Sequence, residues 1–173
     1  GISRSNSDMT NGERLLALNL MARGRHAEAQ TMLKEIIEID GAPAGRFINQ
    51  RNFSRLALAR SYLDQGRLDE AQTEITILRG IIEGVAADEI AFSRPAAAQL
   101  ASLQGALSLK LGDANAAAVQ YQRAIDILTP RQHPHSPHLA SARADLALAL
   151  AGRGDAAGAR ALATQARAAF AQH

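Results

Sequence analysis

The fold is decided by residues 58–75, which read LARSYLDQGRLDEAQTEI. Apolar side chains three and four residues apart precede Gly66, and after Ala71 they recur at Ile75 and Leu78. Offsets of three, four and seven residues place side chains on one face of a helix. A glycine between two such faces can adopt the left-handed conformation that ends one helix and lets the chain reverse. The stretch therefore predicts an αα-hairpin.

The same pattern occurs four times along the chain. The turn glycines are Gly24, Gly66, Gly112 and Gly154, and the alanines five residues later are Ala29, Ala71, Ala117 and Ala159. We predict that these small residues mark the closest approach of paired helices, where a larger side chain would cost roughly 1–3 kcal/mol. The pattern predicts helices at about 11–23, 26–40, 46–65, 68–86, 94–111, 114–128, 137–152 and 156–172, and no strands.

This arrangement resembles the tetratricopeptide repeat, which has a small residue midway in helix A, a turn glycine and an alanine early in helix B. The resemblance covers about residues 11–172 and implies an all-α solenoid of αα-hairpins, wound as a right-handed superhelix of four repeats. The repeats are expected at about 11–42, 46–87, 94–130 and 137–172. Residues 1–10 are expected to be a disordered segment or the remnant of a tag. The sequence departs from the family pattern because the aromatic residue early in helix A is missing from every repeat.

The repeats are unusually long. Successive turn glycines lie 42, 46 and 42 residues apart, whereas the common tetratricopeptide repeat has a period of about 34 residues. Pro43, Pro95, Pro134 and Pro137 fall in the predicted connectors, where proline can stop one helix or open the next. The spacing is similar to that of the long repeats in kinesin light chains and in helical regions attached to bacterial regulators.

Composition excludes several classes of function. The chain of 173 residues contains no cysteine, which excludes disulfides and cysteine-based zinc or nucleophile sites. Its 19 basic and 17 acidic residues are too balanced for an electrostatic nucleic-acid binder. It has no apolar run long enough to cross a membrane. We expect a cytoplasmic protein without a cofactor that binds neither nucleic acid nor membrane.

The polar residues offer few candidates for a catalytic or metal site. His133, His135 and His138 lie close together and could supply nitrogen ligands, but no nearby acidic residue completes a site. We interpret this segment as a solvated connector and predict no metal site. Pairs of acidic residues such as Asp69 and Glu70 are interpreted as solvated surface. No arrangement of Ser, His and Asp stands out, so the chain is not expected to be an enzyme.

The resemblance implies that the A helices line a concave groove. The resemblance implies that the groove is lined by Arg14, Leu18, Leu56, Arg60, Leu63, Asp64, Leu103, Leu109, Lys110 and Asp145, with Leu148 beside them. This largely apolar stripe suits a peptide or helix of a protein partner, oriented by the charged residues. We therefore predict a protein-interaction scaffold. A regulatory or sensor segment of a larger bacterial kinase or transcriptional regulator remains an alternative, and so does a homodimer through the terminal helices.

Overall fold

The computed structural model describes residues 3–39, 48–83, 90–130 and 132–172. Within these ranges the regular elements are α1 (Ser3–Ala22), α2 (His26–Ile39), α3 (Ile48–Asp64), α4 (Leu68–Glu83), α5 (Ile90–Lys110), α6 (Ala114–Leu128), α7 (Pro137–Gly152) and α8 (Ala156–Phe170). All of them are α-helices, so the predicted all-α fold of four αα-hairpins is confirmed. We call α1–α2, α3–α4, α5–α6 and α7–α8 hairpins 1 to 4.

The hairpins form two compact units, residues 1–84 and residues 85–173. In the first unit α1 packs on α2, α2 on α3, and α3 on α4, with a smaller contact between α1 and α3. In the second unit the four helices α5 to α8 pack in the same order, with a smaller contact between α5 and α7. Each hairpin thus buries its own inner face, and within each unit the second helix of one hairpin covers the first helix of the next.

The four turns have one geometry. Gly24, Gly66, Gly112 and Gly154 have φ angles of 75°, 72°, 85° and 88°. At the first turn the N–H of Arg25 donates to the carbonyl of Leu20, and that of Gly24 donates to Met21, both at 2.9 Å. The same two bonds recur at the other three turns. This is the Schellman arrangement, which satisfies the last carbonyls of a helix and requires a residue that tolerates positive φ. The prediction of the turn glycines is confirmed.

The small residues lie where the helices of a pair meet. Ala17 and Ala29 in hairpin 1, and Ala59 and Ala71 in hairpin 2, are completely buried. Residues nine positions after the turn glycine fill the space beside them, as Leu33, Ile75 and Tyr121 do in hairpins 1 to 3. In hairpin 4 the equivalent residue is Ala163, which is exposed. The last hairpin therefore has the thinnest core.

Two helices begin earlier than expected. α1 begins at Ser3, so the helix extends into the segment that was predicted to be disordered. α5 begins at Ile90, which places Pro95 inside the helix. Because Pro95 lies near the N-terminus of α5, its missing N–H removes one helical hydrogen bond and does not end the helix. Pro43 lies outside the described residues.

The starts of three later helices are fixed by capping side chains. Ser136 Oγ accepts a hydrogen bond from the N–H of Leu139 at 3.2 Å, and Pro137 is the first residue of α7. Asp113 and Asp155 cap α6 and α8 in the same way, each accepting at 2.9 Å from the N–H three residues on. These contacts satisfy N–H groups that have no partner within the helix.

Candidate interaction surfaces

The residues predicted to line the groove divide by exposure. Leu18 on α1 is 37% exposed, and Arg60, Asp64 and Lys110 are exposed. Arg14, Leu109 and Asp145 are half-buried. The exposed and half-buried residues could contact a partner. In the first unit they belong to α1 and α3, and in the second unit to α5 and α7.

Three of the predicted groove residues are buried instead. Leu56 is 3% exposed, Leu63 is 1% exposed and Leu103 is 5% exposed. α3 packs against α1, α2 and α4, so little of this helix reaches the surface. These leucines contribute to the packing of the helices, so three of the residues predicted to line a groove are not at the surface.

A pair of opposite charges lies at the surface of α3. Arg60 Nε lies 3.0 Å from Asp64 Oδ1, and the two side chains are 58% and 38% exposed. An exposed ion pair of this spacing contributes only about 0.3–0.5 kcal/mol to stability. Exchanging it for contacts with charges of a ligand therefore costs little.

Arg14 joins α1 to α3 on the same side of the first unit. Its Nη2 donates a hydrogen bond to Asn11 Oδ1 at 2.9 Å. Its Cζ lies 5.7 Å from the centroid of the Phe53 ring on α3, within range of a cation–π interaction. Arg14 Nε is buried without a hydrogen-bond partner in the structure. The guanidinium is therefore held in place between α1 and α3, and its Nε is enclosed by the protein.

A polar cluster lies between α2 and α3. Gln30 Nε2 donates to Ser61 Oγ at 2.9 Å and to Gln65 Oε1 at 2.7 Å. His26 Nδ1 lies 3.0 Å from Ser61 Oγ, and Arg67 Nη1 donates to Gln30 Oε1 at 3.1 Å. The exposed fractions of Gln30 and Ser61 are 6% and 0%. This cluster satisfies the buried polar groups where hairpins 1 and 2 meet, so its role is structural.

Two clefts were not predicted from the sequence. One, of about 450 Å³, lies on hairpin 1 and is lined by Leu16, Leu20, Arg25, Glu28, Thr31 and Met32. The other, of about 600 Å³, lies in the second unit and is lined by Ala118, Val119, Gln122, Arg123, Asp126, Leu146, Leu150, Arg153, Asp155 and Leu162. Several of these residues occupy equivalent positions relative to the turn glycines, and that alignment was the signal that could have located both clefts.

The rim of the smaller cleft carries an ion pair. Arg25 Nε and Glu28 Oε1 are 2.6 Å apart. This hydrogen bond lowers the pKa of Glu28. The same bond, with the negative charge of Glu28, raises the pKa of Arg25. Both side chains are about half exposed. The cleft therefore has an apolar floor and a rim with both signs of charge.

The histidine segment has no metal-binding geometry. The ring centroids of His133 and His135 are 5.4 Å apart, and the N–H of His135 donates to His133 Nδ1 at 3.3 Å. Among the residues that the structure describes, no three histidine, cysteine or acidic side chains are grouped to hold a metal ion. In the same part of the chain, no helix is long and apolar enough to span a membrane.

Comparisons with known proteins place the fold. The family model for the tetratricopeptide repeat matches residues 13–35, 53–75 and 140–165, in hairpins 1, 2 and 4. The crystal structure of BtubC (BKLC) from P. vanneervenii is similar with a TM-score of 0.71 and 17% sequence identity, over 96% of this chain and 65% of that chain. This chain thus spans about 65% of the length of that protein chain.

A crystal structure of nearly identical TPR-like repeats of a putative kinesin light chain from Podosopora anserina has 16% identity and a TM-score of 0.42. It matches over 94% of this chain and 95% of that chain. No curated protein sequence matches this chain. The family model finds three of the four hairpins, and the likeness to BtubC shows the same fold across all four. By its sequence pattern in three hairpins and by its fold, the chain is similar to tetratricopeptide repeat proteins.

Proposed function

We propose that this chain is a non-enzymatic scaffold that binds a peptide or helix of a protein partner on the exposed face of its A helices. Tetratricopeptide repeats generally mediate protein–protein interaction, and their fold is typically a scaffold without catalytic activity. The observation that carries the proposal is the composition of this face in the first unit. There, Leu18 is an exposed apolar side chain on α1, and the exposed pair Arg60 and Asp64 lies on α3.

The chemistry of this face suits a short segment of protein. An exposed leucine offers an apolar anchor, and paired charges of opposite sign orient a ligand that carries its own charges. Arg14, held between Asn11 and the Phe53 ring, adds a half-buried positive charge beside these residues. The second unit offers a similar combination in Leu148, which is 64% exposed on α7, and Lys110 on α5.

The proposal is tested by affinity capture from the native host, followed by a direct binding measurement. The immobilised chain is compared with the variants Leu18→Asp and Arg60→Glu. The matched control is Arg79→Glu, which makes the same charge change at an exposed position of the B helix α4. Proteins retained by the original chain and by the control, but lost from both groove variants, are identified by mass spectrometry.

Each retained protein is then titrated calorimetrically against the purified chain and its variants. Loss of one buried leucine contact or one charge contact is expected to weaken binding by about ten-fold. Circular dichroism confirms that the variants remain folded, which is expected because the substituted side chains are exposed. Equal affinity of the original chain and both groove variants for every retained protein would show that the A-helix face is not the binding site.

A further inference from the structure

Hairpin 1 has an apolar face that this structure leaves uncovered. Leu15 and Leu16 on α1 are 54% and 51% exposed. Leu16, together with Leu20 on the same helix and Met32 on α2, lines the cleft of about 450 Å³. We call Leu16, Leu20 and Met32 the α1–α2 face. It is separate from the proposed groove, because its residues lie on the side of hairpin 1 that corresponds to a contact between hairpins elsewhere in the chain.

That correspondence follows from the repeat register. Leu16 and Leu20 lie eight and four residues before Gly24, and Met32 lies eight residues after it. The residues at these offsets from Gly154 in hairpin 4 are Leu146, Leu150 and Leu162. They line the larger cleft together with residues of α6. Arg23 and Arg153, each directly before its turn glycine, extend the likeness between the two faces.

In hairpin 4 this face is covered by a helix. Leu146 is only 5% exposed and packs in one cluster with Ala118 and Tyr121 of α6. Hairpin 2 shows the same relationship. Leu58 and Tyr62, at the same offsets before Gly66, are 1% and 4% exposed, and α3 packs against α2. Where the structure shows the equivalent face within a unit, a B helix of the preceding hairpin covers it.

Of the two covering helices, α6 is the closer template for a partner of hairpin 1, because the face that it covers has leucine at all three offsets. The other covering helix, α2, has Gln30 at the position of Ala118. On α6, Ala118 packs in one cluster with Leu146 and is 5% exposed, and the exposed residues Gln122, Arg123 and Asp126 line the cleft. The small central residue permits close approach of the helices, and the rim is polar and charged. The α1–α2 face has a matching rim, since Arg25 and Glu28 offer both signs of charge at its edge.

We propose that the α1–α2 face docks an amphipathic α-helix of a partner protein, with alanine at the centre of its contact surface and charged residues at its edges. This interaction does not depend on the A-helix groove. Burial of Leu16 and Met32 would supply the affinity, and Arg25 and Glu28 would favour helices with opposite charges at their edges.

The probe is a fluorescein-labelled peptide of residues 113–128 of this chain, which carries α6 with its capping Asp113. Fluorescence anisotropy measures its binding to the whole chain. We expect saturable binding that Leu16→Asp weakens by at least about ten-fold and Leu16→Ala weakens less. The matched control is Leu111→Asp, because Leu111 is 63% exposed in the turn after α5 and does not line the face.

Three results would overturn the proposal. The first is the absence of saturable binding, and the second is equal affinity of the original chain and Leu16→Asp for the peptide. The third comes from sedimentation velocity of the chain alone. A dimer that becomes a monomer on Leu16→Asp, but not on Leu111→Asp, would mean that a second copy of the chain covers the face. Because Leu16 is half exposed, both of its variants are expected to fold, and circular dichroism verifies this.

Discussion

The ring of Tyr121 lies in the space that a side chain at Gly105 would occupy. A Cβ added at Gly105 on α5 would lie 2.8 Å from Cε1 of Tyr121 on α6, closer than such atoms approach each other in proteins. The equivalent pairs in hairpins 1 and 2 are Ala17 with Leu33 and Ala59 with Ile75. Among these three pairs, the largest residue on the second helix, Tyr121, thus faces the smallest residue on the first helix, Gly105.

This relationship predicts that the effect of Gly105→Ala on the free energy of unfolding changes sign when Tyr121 is replaced. Gly105→Ala is expected to destabilise the chain by about 1–2 kcal/mol, because the steric cost of roughly 1–3 kcal/mol exceeds the 0.5–1 kcal/mol that alanine gains over glycine in a helix. In a Tyr121→Leu background, Gly105→Ala is expected to stabilise by about 0.5–1 kcal/mol. Urea denaturation of the four proteins of this cycle measures both values.

Gly80→Ala on α4 is the control for the effect of helix propensity. A Cβ at Gly80 would meet nothing within 4 Å, so this substitution is expected to stabilise the original chain by about 0.5–1 kcal/mol. If Gly105→Ala has the same effect with and without Tyr121, the close contact does not limit the residue at position 105.

The polar contact between hairpins 1 and 2 predicts non-additive mutational effects. Gln30 and Ser61 occupy the positions that Ala118 and Ala149 occupy in hairpins 3 and 4. Ser61→Ala alone is expected to cost about 1–3 kcal/mol, because buried polar groups of Gln30 and His26 lose an acceptor or donor. The double variant Gln30→Ala, Ser61→Ala places two alanines at these positions, as Ala118 and Ala149 are placed in hairpins 3 and 4.

The double variant is therefore expected to cost less than the sum of the single variants by at least about 0.5 kcal/mol. Chemical denaturation gives the change in the free energy of unfolding for each of the two single variants and for the double variant. Gln72→Ala on α4, the exposed counterpart of Gln30, should change stability by less than about 0.5 kcal/mol. Strict additivity would show that the hydrogen bond between Gln30 and Ser61 does not stabilise the contact.

The sequence predicted the features that depend on a single hairpin. The turn glycines and the buried alanines follow from helical periodicity and from the backbone conformation of a tight turn, both of which are local. The exposure of the predicted groove residues was less predictable, because the burial of Leu56 and Leu63 depends on the packing of α1, α2 and α4 against α3. Contacts such as that between Gln30 and Ser61 join residues of different hairpins, and neither residue type indicates its partner.

A largely buried ion pair is expected to matter more than an exposed one. Arg55 Nη1 lies 2.7 Å from Glu74 Oε2 between α3 and α4, and the side chains are 13% and 15% exposed. Glu74→Ala leaves the guanidinium without its counter-charge and is expected to cost about 3–5 kcal/mol. Asp64→Ala, which breaks the exposed pair with Arg60, should cost less than about 1 kcal/mol. Thermal denaturation at neutral pH compares the two variants, and similar losses would contradict the assigned role of burial.

The hydrogen bonds from Arg67 to Glu70 predict how the stability of hairpin 2 responds to acid. Arg67 Nη2 and Nε lie 2.6 Å and 2.9 Å from Glu70 Oε1, and these hydrogen bonds lower the pKa of Glu70. A carboxyl group whose pKa is lower in the folded state contributes stability above its unfolded pKa and loses it as the pH falls through the folded pKa. The stability difference between the original chain and Arg67→Met should therefore narrow on acidification.

A side-chain NMR titration tests the assignment directly. Arg67→Met is expected to raise the pKa of Glu70 toward its ordinary value, because the largest cause of the depression is removed. Glu28 is the control within the same protein, since its pKa is lowered by Arg25 and should not respond to Arg67→Met. Arg25→Met should produce the reverse pattern. If the pKa of Glu70 is unchanged in Arg67→Met, the contact between these side chains does not stabilise the start of α4 in solution.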